Sequence, residues 1–95
     1  LNLLEPFGQA NPKPLFSSSN LKVKSRPAVL GRNTLKFWVS DGKVTYPAVG
    51  FGMSDYLDLV NSSAEVNLAY RLSLDDWNGA HQLQLELVDI HASII

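Results

Sequence analysis

Three features of the sequence predict a small all-β protein. Segments of alternating apolar and polar residues recur along the chain, Asp41-Gly42 and Asn78-Gly79 sit between such segments, and only Ser54 to Val60 has helical character. Alternation with a period of two marks half-buried strands, and Asp-Gly or Asn-Gly between two of them marks a tight hairpin. The chain has 95 residues, of which 45% are apolar, and this describes one domain. A chain of this size buries roughly 60 to 65% of its unfolded surface, enough for one small core but not for a deep catalytic cleft. Without cysteine there is no disulfide framework and no thiolate metal site, which fits a reducing compartment. His81 and His91 are too few for a His-rich metal site. No apolar run reaches the roughly 18 to 20 residues of a membrane span, and the N-terminus lacks a signal-peptide pattern, so the expected location is cytoplasmic, with no membrane partner. A start at Leu1 without methionine reads as a piece of a longer chain.

Residues 1–16 carry Pro6, Pro12 and Pro14 with Gly8 and Asn11. Each proline removes a donor and biases the residue before it away from helix, so this reads as an extended Pro-rich lead-in, with the barrel over residues 17–95. Asn20 to Arg26 alternates, Leu21 and Val23 against Lys22, Lys24 and Arg26, and predicts the first strand. Pro27 to Asn33, with Gly31, reads as a loop. Thr34 to Ser40 predicts the second strand, with Leu35, Phe37 and Val39 on one face and Thr34, Lys36, Trp38 and Ser40 on the other.

A type I′ turn at Asp41-Gly42 places Val39 opposite Val44, Phe37 opposite Tyr46 and Leu35 opposite Ala48. Pro47 in the third strand implies an edge or a bulge and leaves the side taken by Val49 and Phe51 open. Ser54 is the expected cap of a short helix, with Asp55 in its first turn and Tyr56, Leu59 and Val60 as its buried stripe. The final hairpin turns at Asn78-Gly79. It pairs Leu74 with Leu83, Leu72 with Leu85 and Tyr70 with Leu87 on one face, and Ser73 with Gln84 and Arg71 with Glu86 on the other.

Strand, strand, strand, short helix, strand, strand suits a five-stranded Greek-key barrel of the OB type, with the helix between strands 3 and 4 plugging one end. An SH3-like barrel and an open β-sandwich are the alternatives. Charge is segregated along the chain. Up to Lys43 seven bases (Lys13, Lys22, Lys24, Arg26, Arg32, Lys36, Lys43) face Glu5 and Asp41, a balance of +5. Beyond it only Arg71 opposes Asp55, Asp58, Glu65, Asp75, Asp76, Glu86 and Asp89, a balance of -6. Segregation of this kind builds a basic face where the early strands form one side of the fold; otherwise it is chance.

Leu4-Glu5-Pro6-Phe7-Gly8, then Asn11-Pro12-Lys13-Pro14 and Phe16, form the first of three motifs. Gly31 with Leu35-Lys36 forms the second, and Leu68-Ala69-Tyr70-Arg71-Leu72 leading to Trp77-Asn78-Gly79 and Leu83-Gln84-Leu85 forms the third. In this order and spacing they resemble the C-terminal OB domain of RecJ, the family of single-stranded-DNA-specific exonucleases. The sequence departs from the family, which often has His where Thr34 stands, a second Gly at Ala10 and an Asn near Asp75. The resemblance implies a non-catalytic module that binds single-stranded DNA and guides it to the catalytic domains of a parent chain. That parent would be a metal-dependent 5′ to 3′ exonuclease of DNA repair and recombination, using manganese or magnesium. None of the catalytic sequence is in this chain, so no cofactor and no catalytic residue is expected here.

OB barrels present strands two and three and the first and last hairpin loops to their ligand. The candidate DNA-binding residues are therefore Lys36 and Trp38 on the outer face, Arg32 and Lys24 around the first loop, and Trp77 with Asn78 in the last. Aromatics stack bases while cations track phosphates. The competing structural readings are Trp38 packed on the lead-in, Trp77 covering its own hairpin, Lys22, Lys24 and Arg26 solubilising an edge, and Arg71 held by Glu86. Asp75, Asp76 and His81 near the last turn lack the three convergent ligands of a hydrolytic metal site. The lead-in, with Leu4, Phe7, Leu15 and Phe16 as anchors, reads as a fixed joint. The alternative function is a protein-docking OB module that binds a repair partner or braces the parent's other domains.

Overall fold

The computed structural model describes residues 2–3, 13–75 and 82–93. Seven strands follow in order: β1 (Asn2–Leu3), β2 (Phe16–Val23), β3 (Ala28–Leu30), β4 (Thr34–Ser40), β5 (Thr45–Phe51), β6 (Glu65–Asp75) and β7 (Gln82–Ala92). A 3₁₀ turn (Ser54–Tyr56) and α1 (Leu57–Asn61) lie between β5 and β6. β2, β6, β7, β5 and β4 pair in a ring, with β7 parallel to β5 and the ring closed by Lys22 opposite Ser40 and Val23 opposite Val39. This is the expected five-stranded Greek-key barrel, with the helix between its third and fourth strands.

β2 starts at Phe16 rather than Asn20, and its first residues pair with β1 on one side and β6 on the other. The alternation read from Asn20 missed this half because Phe16 to Asn20 contains three serines and no apolar period. At Asn20 φ is +58°, and the ladder to β6 slips by one residue between Ser18 and Leu21. Such a bulge bends the strand, and here it lets one strand pair with β6 and then reach β4. Asn20 tolerates the left-handed region, and its amide donates to Asn67 Oδ1 at 2.8 Å. The expected loop at Pro27 to Asn33 instead contains β3, which pairs with β4 through Ala28–Lys36, Val29–Leu35 and Leu30–Thr34.

The β4–β5 register differs from the expected one by two residues: Val39 faces Tyr46, Phe37 faces Ala48 and Leu35 faces Gly50. Asp41 does not adopt positive φ as a type I′ turn requires; only Gly42 does, at +99°. Asp41 Oδ1 accepts the amides of Lys43 and Val44, each at 2.9 Å, and this side-chain turn lengthens the loop to four residues. A slip of two preserves each face, so Leu35, Phe37 and Val39 remain buried at 0%, 1% and 0% exposure. Pro47 breaks no rung. The backbone of its partner Trp38 is turned away, the amide donating to Ser25 Oγ at 2.9 Å and the carbonyl accepting from Lys24 at 2.8 Å. Pairing to β7 begins only at Ala48. No bulge occurs, and Val49 and Phe51 fall on the outer face beside Lys36 and Thr34.

Ser54 does not cap the helix. Met53 holds the cap position of the 3₁₀ turn and Tyr56 that of α1, while Asn33 from the β3–β4 turn accepts the Ser54 amide at 3.0 Å and also its hydroxyl. Val60 is fully buried, and Tyr56 and Leu59 pack against the core as expected. The β6–β7 register agrees with expectation at every pair from Leu74–Leu83 to Tyr70–Leu87. The core is nevertheless smaller than the pattern suggests. Tyr70 and Leu85 are buried, but Leu74 is 61% and Leu83 41% exposed, because that end of the hairpin extends past the barrel wall.

Candidate nucleic-acid interface

The outer face of β4 gathers several of the predicted residues. Lys36 and Trp38 are both half-buried there, Lys36 between Ala28 of β3 and Val49 of β5, and Trp38 opposite Pro47. They line a groove of about 250 Å³ with Ser25, Arg26, Ala28 and Leu30, and Phe37 from the core contributes to its base. Small flanking residues explain the depth: Ala28 beside Lys36 and Pro47 beside Trp38 leave the long side chains standing above their neighbours. The Trp38 backbone is held by two bonds, its amide donating to the Ser25 hydroxyl and its carbonyl accepting from the Lys24 amide.

Lys24 is exposed immediately after β2, and its amide ties it to the Trp38 carbonyl. Arg32 is exposed in the Gly31–Asn33 turn, outside the groove lining. Trp77 and Asn78 lie outside the described residues, as do Asp76, His81, the Gly79 turn and the lead-in from Leu4 to Pro12. Arg26 is the residue that the sequence reading treated only as an edge solubiliser. It belongs to the short link between the end of β2 at Val23 and the start of β3 at Ala28, and that link borders the groove through Ser25 and Arg26.

Around Arg71 the lead-in is anchored. Its guanidinium donates to the Lys13 carbonyl, and Lys13 Nζ lies 3.5 Å from Glu86, the residue opposite Arg71 on β7. Elsewhere Asp89 accepts from its following amide at 2.9 Å and from Tyr56 at 3.4 Å, and sits 2.9 Å from His91 Nε2. Among the described residues no three His, Cys, Asp or Glu side chains stand together as metal ligands. Among them also, no helix is long and apolar enough to cross a membrane.

A closed five-stranded barrel with an end-plugging helix, and with aromatic and cationic side chains on its second and third strands, is a protein of the OB class. Within that class the match is specific. Residues 1–89 fit the RecJ OB domain, and the chain belongs to that family. It is similar to "Single-stranded-DNA-specific exonuclease RecJ" of Bacillus subtilis (strain 168), with 23% identity over 94 residues covering 98% of this chain. The chain spans 12% of that relative's length.

Proposed function

We propose that the chain is a non-catalytic module that binds single-stranded DNA across the β3–β4–β5 outer face and leads it to a nuclease core elsewhere in its parent. That parent would be a metal-dependent 5′ to 3′ exonuclease, cytoplasmic and active in repair and recombination. The observation that carries this reading is the groove joining Trp38 to Lys36 and Arg26, since single strands are held by base stacking and phosphate pairing together. Lys24, at the same margin, supplies a third cation. Three phosphate contacts correspond to a slope of log K against log salt of about -2 for a single strand.

Titration of a labelled oligothymidylate at several salt concentrations tests this. Lys36→Ala is expected to reduce the slope by about 0.7, while Trp38→Ala weakens binding by about 1 to 3 kcal/mol without changing it. The same chain is expected not to degrade the oligonucleotide with manganese or magnesium. One observation favours protein docking instead: Phe51 at 62% and Leu30 at 49% exposure lie on the same outer face. Binding by both variants that equals the parent chain's would give the face to that reading.

A further inference from the structure

A larger cavity, of about 340 Å³, opens at the end of the barrel opposite the helix, where β2, β6 and β7 meet the β4–β5 turn. Its size is near the lower bound of small-ligand sites, roughly 300 to 1,000 Å³. Leu21, Leu72, Leu83 and Leu85 line it together with Tyr46 and Tyr70, as do the serines of β2 and Asp41. Tyr70 is linked to Ser18 by a hydrogen bond of 2.7 Å, and burial pushes its hydroxyl above its ordinary value, so it stays neutral. Asp41 is held in its charged form by the Val44 and Lys43 amides. Both of those bonds use Oδ1.

The charge of this cavity is therefore opposite to that of the outer groove. Among the described residues that line it there is one carboxylate and no lysine, arginine or histidine, so phosphate is disfavoured. An apolar wall with two tyrosines and one anion at the edge suits a cation on an apolar stem. A guanidinium fits better than an ammonium, because it is planar, weakly hydrated and able to stack on aromatic rings while pairing with a carboxylate. Asp41 is exposed, so a free cation gains little there from solvent-screened attraction alone. A polypeptide brings further contact: Leu83 lines the cavity and pairs with Leu74, and both are exposed. We propose that the barrel mouth is a second binding site that accepts an arginine side chain from a partner protein segment, with an adjacent apolar residue of that segment resting on Leu74 and Leu83.

The test is an amide NMR titration of the 95-residue chain with a capped tripeptide of arginine between two leucines. The expected result is movement of the Ser18, Asp41, Tyr46 and Leu85 resonances. Replacing the peptide's arginine with glutamate is expected to abolish that movement, and oligothymidylate is expected to leave these resonances in place. Asp41→Asn keeps an acceptor for the turn amides but removes the charge, and it should weaken the peptide at least fivefold while the rest of the spectrum is preserved. Leu83→Lys, at an exposed position, should produce the same loss without altering Asp41. The proposal is overturned by equal binding of the glutamate peptide, by undiminished binding to Asp41→Asn and Leu83→Lys, or by oligothymidylate moving the pocket resonances.

Discussion

At the residue scale, short polar side chains set the turns that position the two sites. Asp41 replaces a backbone turn with its carboxylate, and the two amides it accepts lower its proton affinity below the ordinary carboxylate value. A folded-state pKa below the unfolded one means that the stabilisation is complete above the ordinary carboxylate range. It is lost as pH falls through that range toward the lowered value. Acid titration of thermal stability is expected to show this loss in the parent chain and to show less of it in Asp41→Asn, whose side chain does not titrate. Asn33 acts similarly at the helix start. Asn33→Ala removes the acceptor for the Ser54 amide and hydroxyl and should lower stability by about 0.5 to 2 kcal/mol in denaturant melts, the range of a lost helix cap. Neither role was legible beforehand. The Asp-Gly pair announces a turn without stating its length, and Asn33 acts across 21 positions in sequence.

At the element scale, β2 decides whether the sheet closes. Its bulge rests on Asn20 at φ +58°, a conformation open to Asn or Gly and closed to β-branched residues. Asn20→Val is expected to cost at least about 1 kcal/mol, whereas Asn20→Gly stays within a few tenths of the parent, by equilibrium unfolding. The β6–β7 hairpin, by contrast, could be written down pair by pair because its apolar period is strict on both strands. Its register agrees with the ladder, although Leu74 and Leu83 turned out to be exposed. Periodicity states which residues share a face; it does not state where along a strand the opposing wall ends. For the same reason β3 was read as a loop, since three residues between proline and glycine are too few to show a period.

For the whole molecule, the seam between β2 and β4 closes the ring with two residue pairs, as few as join β5 to β7. The Lys24 amide extends it by its bond to Trp38. Lys24→Pro removes that donor and strands a part-buried carbonyl, with an expected loss of about 1 to 3 kcal/mol. Lys24→Ala keeps the bond and should leave the melting temperature nearly unchanged while reducing oligonucleotide affinity, which separates closure from binding. Leu35, with no exposure, sits at the centre of what the seam encloses, and Leu35→Ala should cost about 2 to 5 kcal/mol. The sequence by itself determined the succession of the five barrel strands, the faces of β4, the helix position and the final register, because each follows from local period and turn chemistry. It also determined the membership of Lys36 and Trp38 in one outer face. Only the tertiary structure decided that Arg26 joins them, that Asn33 anchors the helix start and that a carboxylate-edged cavity opens at the barrel mouth. Each of these depends on segments distant in sequence being brought together by closure of the ring, and no local pattern records that distance.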